Sequence, residues 1–344
     1  MAGTDTSQRK ARVDPNKPVV EFIGVRKKLS GRMILDGLDF SVRRGETFVI
    51  IGYSGTGKSV SLRHMVGLMK PDEGSIRIDG DEITTMTQRE LEVLRRKFGV
   101  LFQSGALIGW LNLFQNVELP LLEHTKMSKR KRAEVVQEKL ELVNLWQDRD
   151  KFPSEISGGM KKRAGLARAI ALDPQIVLYD EPSSGLDPVI AHEIDKLINR
   201  LRDSHGMTQI VVTHDMESAY TIASRIGMFY HGKMLQIGTP NEIRTSAVPE
   251  VQHFITGGRE GAVSTRSDAA IQHGRAPGML SQRTAEAIDA AADAAPTEQV
   301  YVLLEERPDD GTPAPAGAPS TTPELKPEAE LESTQEHQTH EEKP

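Results

Sequence analysis

Residues 52–59 read Gly52-Tyr53-Ser54-Gly55-Thr56-Gly57-Lys58-Ser59, preceded by the apolar run 47–51 and followed by a helical pattern over 59–69. Strand, Gly-rich turn and helix in this order make a phosphate-binding loop. The glycines let consecutive backbone N–H groups turn inward on α- and β-phosphates, Lys58 reaches the β/γ oxygens, and the Ser59 hydroxyl ligates Mg²⁺. A chance match to the pattern occurs in roughly one chain in a hundred at average residue usage, and the flanking strand and helix make it rarer. The nucleotide site read from this stretch is Gly52, Tyr53, Ser54, Gly55, Thr56, Gly57, Lys58, Ser59 and Val60.

The 344 residues contain no cysteine, so disulfides and thiolate metal sites are excluded. Hydrophobic residues make up 38%, enough for a large core, and the composition changes near residue 258. The domain reading is a polar extension over 1–17, one folded unit over 18–257 and an extension over 258–344. The first thirty residues lack an apolar signal-peptide segment and no run is long enough to span a bilayer, so the chain is expected to be made and kept in the cytoplasm. Net charge is −6, but residues 301–344 alone hold eleven Asp/Glu against three Lys/Arg, which leaves about +2 before them. Neither part carries the basic footprint of a nucleic-acid binder.

Runs 19–25 and 33–42 are patterned as strands with one face buried. A short strand is expected at 75–79, a helix at 88–97 and a strand at 98–102. Residues 104–154 are mostly helical in pattern, clearest over 129–145, with Pro120 and Pro153 as punctuation. They predict a helical subdomain, about 104–171, inserted into an α/β core. Apolar strands at 176–179, 210–212 and 226–230 alternate with helices at 158–172, 189–203 and 216–223, which predicts a mainly parallel sheet covered on both faces. Within the C-terminal extension, 284–295 is Ala-rich and helix-prone before Pro296. Residues 307–344 carry seven prolines and few large apolar groups, a composition expected to stay disordered.

A phosphate loop needs a carboxylate at the end of a buried strand to hold the metal. Ile176-Val177-Leu178-Tyr179-Asp180 supplies it, and Glu181 follows at once. Successive residues leaving a strand point in different directions, so Asp180 is read as holding Mg²⁺ through its water shell and Glu181 as the group that polarises the attacking water.

With these residues in place the chain resembles the ATPase subunits of ABC transporters, in motif order from residue 19 to about 245. Ser157-Gly158-Gly159-Met160 looks like the family signature, Gln103 stands at the Q-loop glutamine, Ser184-Gly185-Leu186-Asp187 resembles the D-loop, and His214 matches the switch histidine. The resemblance implies a P-loop ABC ATPase core with an N-terminal antiparallel β subdomain, and ATP with Mg²⁺ as cofactors. It implies a head-to-tail dimer in which Lys58 of one copy faces Ser157 and Gly159 of its mate across ATP, with Asp187 at the nucleotide. His214 is expected at the γ-phosphate, and Gln103 at Mg²⁺ or the attacking water. An aromatic side chain usually stacks on adenine in this family, but Val25-Arg26-Lys27-Lys28-Leu29 offers only Leu29.

Within that family the chain is most similar to the ATPases of Mla/Mce-type lipid transporters. The residues that carry this are Leu101-Phe102-Gln103-Ser104-Gly105-Ala106-Leu107, Glu123-His124-Thr125, Pro153-Ser154-Glu155-Ile156-Ser157-Gly158-Gly159-Met160 and Arg168-Ala169-Ile170-Ala171-Leu172. The implied protein is a peripheral homodimeric motor on the cytoplasmic face of the inner membrane. Its partners would be a membrane permease, docked near 104–116, and indirectly a periplasmic Mce-domain protein; nucleic acid is not among them. In such systems a small STAS-domain protein can bind the ATPase, and Val251-Gln252-His253-Phe254-Ile255 resembles the start of a C-terminal segment that reaches across the dimer. Two alternatives remain at this point: the ATPase of another import or export system, and a soluble ABC ATPase. The second usually shows paired cassettes, a coiled-coil insertion or a basic face, none of which is visible here.

Overall fold

The structure, a computed structural model, describes residues 18–257. The readings for 1–17 and 258–344, including the helix at 284–295 and the disorder after 307, lie outside the described residues. Strands β1 (Pro18–Leu29) and β2 (Arg32–Arg43) form an antiparallel pair that places Phe22 opposite Phe40. Their rings stack at 4.6 Å, and Phe40 stacks in turn on Phe48, at 5.5 Å, in β3 (Thr47–Ile51). This aromatic column joins the small sheet to the main one.

After β3 come α1 (Lys58–Met65), β4 (Glu73–Ile78), β5 (Asp81–Glu82), α2 (Gln88–Arg95) and β6 (Phe98–Leu101). The expected 59–69 helix stops at Met65 because the Val66 and Gly67 amides turn back onto Leu62 and His64. The small sheet has the order β2-β1-β4-β5.

Helices α3 (Leu113–His124), α4 (Lys129–Leu142) and α5 (Gly158–Ala169) follow. Pro120 does not end α3 as the sequence suggested; it lies inside it. Proline removes one amide and strains the preceding turn, yet the helix runs on because Leu113, Val117 and Leu121, four residues apart, are all buried on one face. They share a core with Val136, Leu140, Ala164 and Leu166 of the other two helices.

The remaining elements are β7 (Ile176–Asp180), α6 (Pro188–His205), β8 (Thr208–Thr213), α7 (Met216–Ile222), β9 (Arg225–Tyr230), β10 (Lys233–Gly238), α8 (Pro240–Arg244) and α9 (Pro249–Ile255). The main sheet runs β10-β9-β3-β8-β7-β6, parallel throughout except for the β10–β9 pair. Every residue of β3 and β8 is buried. The reason is alternation between two apolar cores: Phe48, Ile50, Leu178, Ile210 and Val212 face the antiparallel sheet, while Val49, Ile51, Val177, Tyr179 and Val211 face the helices. The sequence reading missed β10. Its signal is the His231-Gly232 pair at φ 45° and 78°, a two-residue turn between strands.

Candidate nucleotide site

Parallel strands bring their carboxyl ends to one edge, and β3, β6, β7 and β8 therefore deliver Gly52, Gln103, Asp180 and His214 to a common rim. Gly52 leaves β3 at φ 155°, and a Cβ there would stand 2.5 Å from the Phe229 carbonyl oxygen, so β9 admits only glycine beside the loop. Gly57 N-caps α1 in the left-handed region. Lys58 is buried, and its Nζ curls under the loop to donate to the carbonyls of Gly52 at 2.8 Å and Tyr53 at 2.9 Å. The Thr56 hydroxyl closes the same turn onto the Tyr53 carbonyl at 2.8 Å. The amides opening α1 are those a helix N-terminus leaves free for anions.

Ser59 Oγ donates to Asp180 Oδ1 at 3.1 Å. A hydroxyl and a carboxylate oxygen this close form the hard-oxygen pair that suits Mg²⁺, which takes few protein ligands and completes its shell with substrate phosphate and water. Among the described residues no three His, Cys, Asp or Glu side chains form a group that could hold a metal ion.

Glu181 sits just beyond β7 at φ 50°, a region that non-glycine residues rarely occupy. Its amide bonds the Val212 carbonyl at 2.9 Å, which holds the strained residue against β8. The carboxylate, only 14% exposed, has Oε2 2.9 Å from His214 Nδ1 and accepts the His214 amide at 3.4 Å. The hydrogen bond to Glu181 raises the His214 pKa above its ordinary value, while burial and the Lys58 charge act the other way. A raised folded value means that this contact stabilises the protein fully below the ordinary imidazole value of about 6.5 and is lost as pH rises through the folded value. NMR titration of His214 is expected to give a midpoint above 6.5 that falls in Glu181→Gln; equal midpoints in the two proteins would refute the pairing.

Gln103 is exposed, and its Nε2 reaches Ser184 Oγ at 3.5 Å. Asp187 caps α6, accepting the Val189 and Ile190 amides at 3.1 Å each. Ser157 caps α5 by accepting the Met160 amide at 3.3 Å. Gly158 and Gly159 lie against α6 and the turn before it: a Cβ on Gly159 would come 2.5 Å from Ile190 Cγ2. The segment after Gln103 is held to α5 just as closely. A Cβ on Gly165 would stand 2.7 Å from the Gly105 carbonyl oxygen, and the Arg168 guanidinium donates to the carbonyls of Ala106 at 2.7 Å and Gly105 at 3.3 Å.

The sequence reading missed that α9 returns to the phosphate loop. Tyr53 hydroxyl and His253 Nδ1 are 2.9 Å apart, and the Phe254 ring meets Tyr53 edge-on at 5.0 Å. With Ser54, His214 and Gly257 these side chains line a cavity of about 350 Å³. An aromatic residue inside the phosphate loop was the available signal.

This geometry has counterparts among known proteins. The family described as ABC transporter matches residues 35–184. The probable ribonucleotide transport ATP-binding protein mkl of Mycobacterium leprae is 43% identical over 249 residues, 72% of each chain. The intermembrane phospholipid transport system ATP-binding protein MlaF of Escherichia coli K12 is 38% identical over 255 residues, 74% of this chain and 95% of that one. A solved dimeric ATP-binding cassette, in a post-hydrolysis state with ADP and Pi, is 33% identical with a TM-score of 0.60 over 64% of this chain and 98% of its own. The phosphate loop, the carboxylates after β7 and the capped helix α5 are thus parts of an ABC transporter ATP-binding domain, and the chain belongs to that family as an ATPase.

Proposed function

We propose that this ATPase powers phospholipid transport between membranes. The observation that carries the reading is its 38% identity to an intermembrane phospholipid transport ATP-binding protein over 95% of that protein's length. The folded motor is residues 18–257, working as a homodimer beneath a permease on the cytoplasmic face of the inner membrane. A Mce-domain protein beyond the membrane and a STAS-domain protein on the ATPase complete the assembly, a reading supported by the resemblance of the 101–107 and 153–172 segments. Among the described residues no helix is long and apolar enough to cross a membrane.

The geometry and the family resemblance support the following roles. Lys58, now bonded to the loop's own carbonyls, would exchange them for β/γ-phosphate oxygens, and the loop from Gly52 to Val60 would wrap the phosphates. Ser59, Asp180 and Gln103 would hold Mg²⁺, which supplies charge neutralisation at the phosphates. Glu181 would accept a proton from the attacking water, with His214 aligning it and contacting the γ-phosphate. Ser157, Gly158 and Gly159 would close on the phosphate bound by the partner copy, and Asp187 would line the same seam.

The permease surface is read at the start of the helical subdomain. Trp110 and Phe152 are large exposed apolar side chains, 64% and 42% accessible. Backbone bonds from Leu113 to Lys151 and from Phe114 to Arg149 bring their segments together. Asn116, which belonged to the expected docking stretch, is instead buried, tying the 108–112 turn through three carbonyls. Trp110→Glu is expected to cut recovery of the permease at least tenfold in affinity purification from membranes while leaving the ATPase folded, since exposed aromatic anchors dominate interfaces. Undiminished recovery would displace the surface.

A second reading comes from the printed function of the Mycobacterium leprae relative, ribonucleotide transport. One experiment separates the two: the co-purified transporter, reconstituted in vesicles, is offered labelled phospholipid or labelled ribonucleotide with ATP. ATP-dependent movement of phospholipid supports the proposal; movement of ribonucleotide alone overturns it.

A further inference from the structure

Lys162, in the second turn of α5, is 5% exposed, and Nζ donates to two backbone carbonyls of another segment, Glu181 at 3.1 Å and Ser184 at 2.5 Å. A buried ammonium is costly unless it is hydrogen-bonded and faces negative charge. Both conditions are met here. The two carbonyls point at it, and the charge of the Glu181 carboxylate acts to keep it protonated against the burial.

The Glu181 carbonyl also accepts the Ser184 amide at 3.2 Å, so the ammonium plugs the open side of the 181–184 turn. That turn holds Glu181 at its strained φ of 50°. Its other end contacts Gln103 through Ser184 Oγ and continues to Leu186, which lies 3.8 Å from where a Cβ on Gly158 would be. One side chain of the signature helix thereby holds both ends of the segment that carries the proposed base.

We propose that Lys162 is a positioning residue for ATP hydrolysis: it fixes the backbone of Glu181 and Ser184 to the signature helix, so that the aim of the Glu181 carboxylate follows the position of α5. This rests on the reading of Glu181 as the group that activates water. Lys162 Nζ is engaged by the two carbonyls, so its role is to hold the turn. Its effect falls on turnover and spares affinity, because the phosphate loop hangs from β3 and shares no bond with it.

The charge on Lys162 strengthens both hydrogen bonds, since an ammonium donates to carbonyls about twice as strongly as a neutral amine, so the grip weakens as pH rises. Burial brings its pKa down to about 8, against the opposing pull of Glu181. The Gly105 segment beside its backbone brings no charge, nor do Leu186, in the turn before α6, and Ile190, in α6, which pack on Gly158 and Gly159, and His214 stands beyond Glu181. Turnover is therefore expected to fall as pH rises past about 8, where the ammonium is lost.

The test uses the purified full-length chain with ATP and Mg²⁺. Lys162→Met is expected to lower kcat at least tenfold at pH 7.5 with KM for ATP within about threefold, and Lys162→Arg, which stays charged at every pH used, to recover at least half of the wild-type rate. Wild-type kcat should decline above pH 8, and Lys162→Arg should remove that decline; His214 is unaltered in this variant, so a limb that belonged to the histidine would persist. Wild-type kcat in Lys162→Met, or an unchanged alkaline limb in Lys162→Arg, overturns the proposal. If Lys162→Met fails to fold, the pH profile of Lys162→Arg decides alone. Full turnover in Glu181→Gln would instead remove the reading on which the proposal rests, whereas an inactive Glu181→Gln beside a fully active Lys162→Met removes only the proposal.

Discussion

Glu181→Gln is expected to lower ATP turnover by about 10²–10³-fold while leaving nucleotide affinity within a few-fold, the range typical of losing a general base. Glutamine keeps the size of the side chain and an oxygen for the His214 amide, so the left-handed turn after β7 keeps its Val212 contact. What disappears is a carboxylate able to take a proton. Binding is untouched because Lys58, Ser59 and the loop amides lie on β3 and α1. With ATP bound and uncleaved, the variant should accumulate as a dimer, since the negative terminal phosphate bridging two copies is never removed. Sedimentation with ATP and Mg²⁺ measures this directly. A variant that hydrolyses at the wild-type rate, or that stays monomeric with ATP, removes Glu181 from the proposed role.

Lys58→Ala should act one step earlier. Charge-assisted hydrogen bonds are worth roughly 1.5–3 kcal/mol each, so losing the ammonium is expected to weaken ATP binding by about 10²-fold and to abolish measurable hydrolysis at ordinary ATP concentrations. The empty loop is also affected. Lys58 Nζ holds the carbonyls of Gly52 and Tyr53, and without it the Gly52 oxygen loses this donor while the Tyr53 oxygen keeps only the Thr56 hydroxyl. The variant should therefore melt at a slightly lower temperature even without nucleotide. Calorimetric titration with ATP is the measurement, and unchanged affinity would show that the side chain is only a strut for the turn.

The two predictions rest on residues that the sequence made legible for a physical reason. A phosphate loop needs glycines where backbone crowds backbone, as at Gly52 against Phe229, and a cation and a hydroxyl at set offsets, so its chemistry is written in contiguous letters. The same holds for Asp180 and Glu181, which finish an apolar run. The parallel sheet was legible for a different reason: a strand buried on both faces carries a continuous apolar run, as at 48–51 and 210–212, while the buried Thr208, Gln209 and Thr213 that extend β8 gave no such signal.

What escaped the sequence reading depends on contacts between distant segments. Lys162 drew no reading from the sequence, because only the fold puts the 181–184 turn beside it. The bond between Tyr53 and His253 spans 200 residues, and no local pattern announces it. Strand β10, with its mixed exposure and single-sided pairing, has the weak alternation of an edge strand. Pro120 misled in the opposite direction: a strong local rule was overridden by three buried leucine and valine anchors on one face of α3.

The fit between Gly105 and Gly165 leaves no room for a methyl group, and Arg168 bolts the following carbonyl to the same helix. Two pieces so joined cannot slide past one another; they shift together or not at all. A tilt of α5 would therefore carry the Gly105–Ala106 segment with it, at the start of the stretch that leads to Trp110. The same fit works in reverse: a displacement of the Gly105–Ala106 segment would be passed to α5, the helix that Ser157 caps.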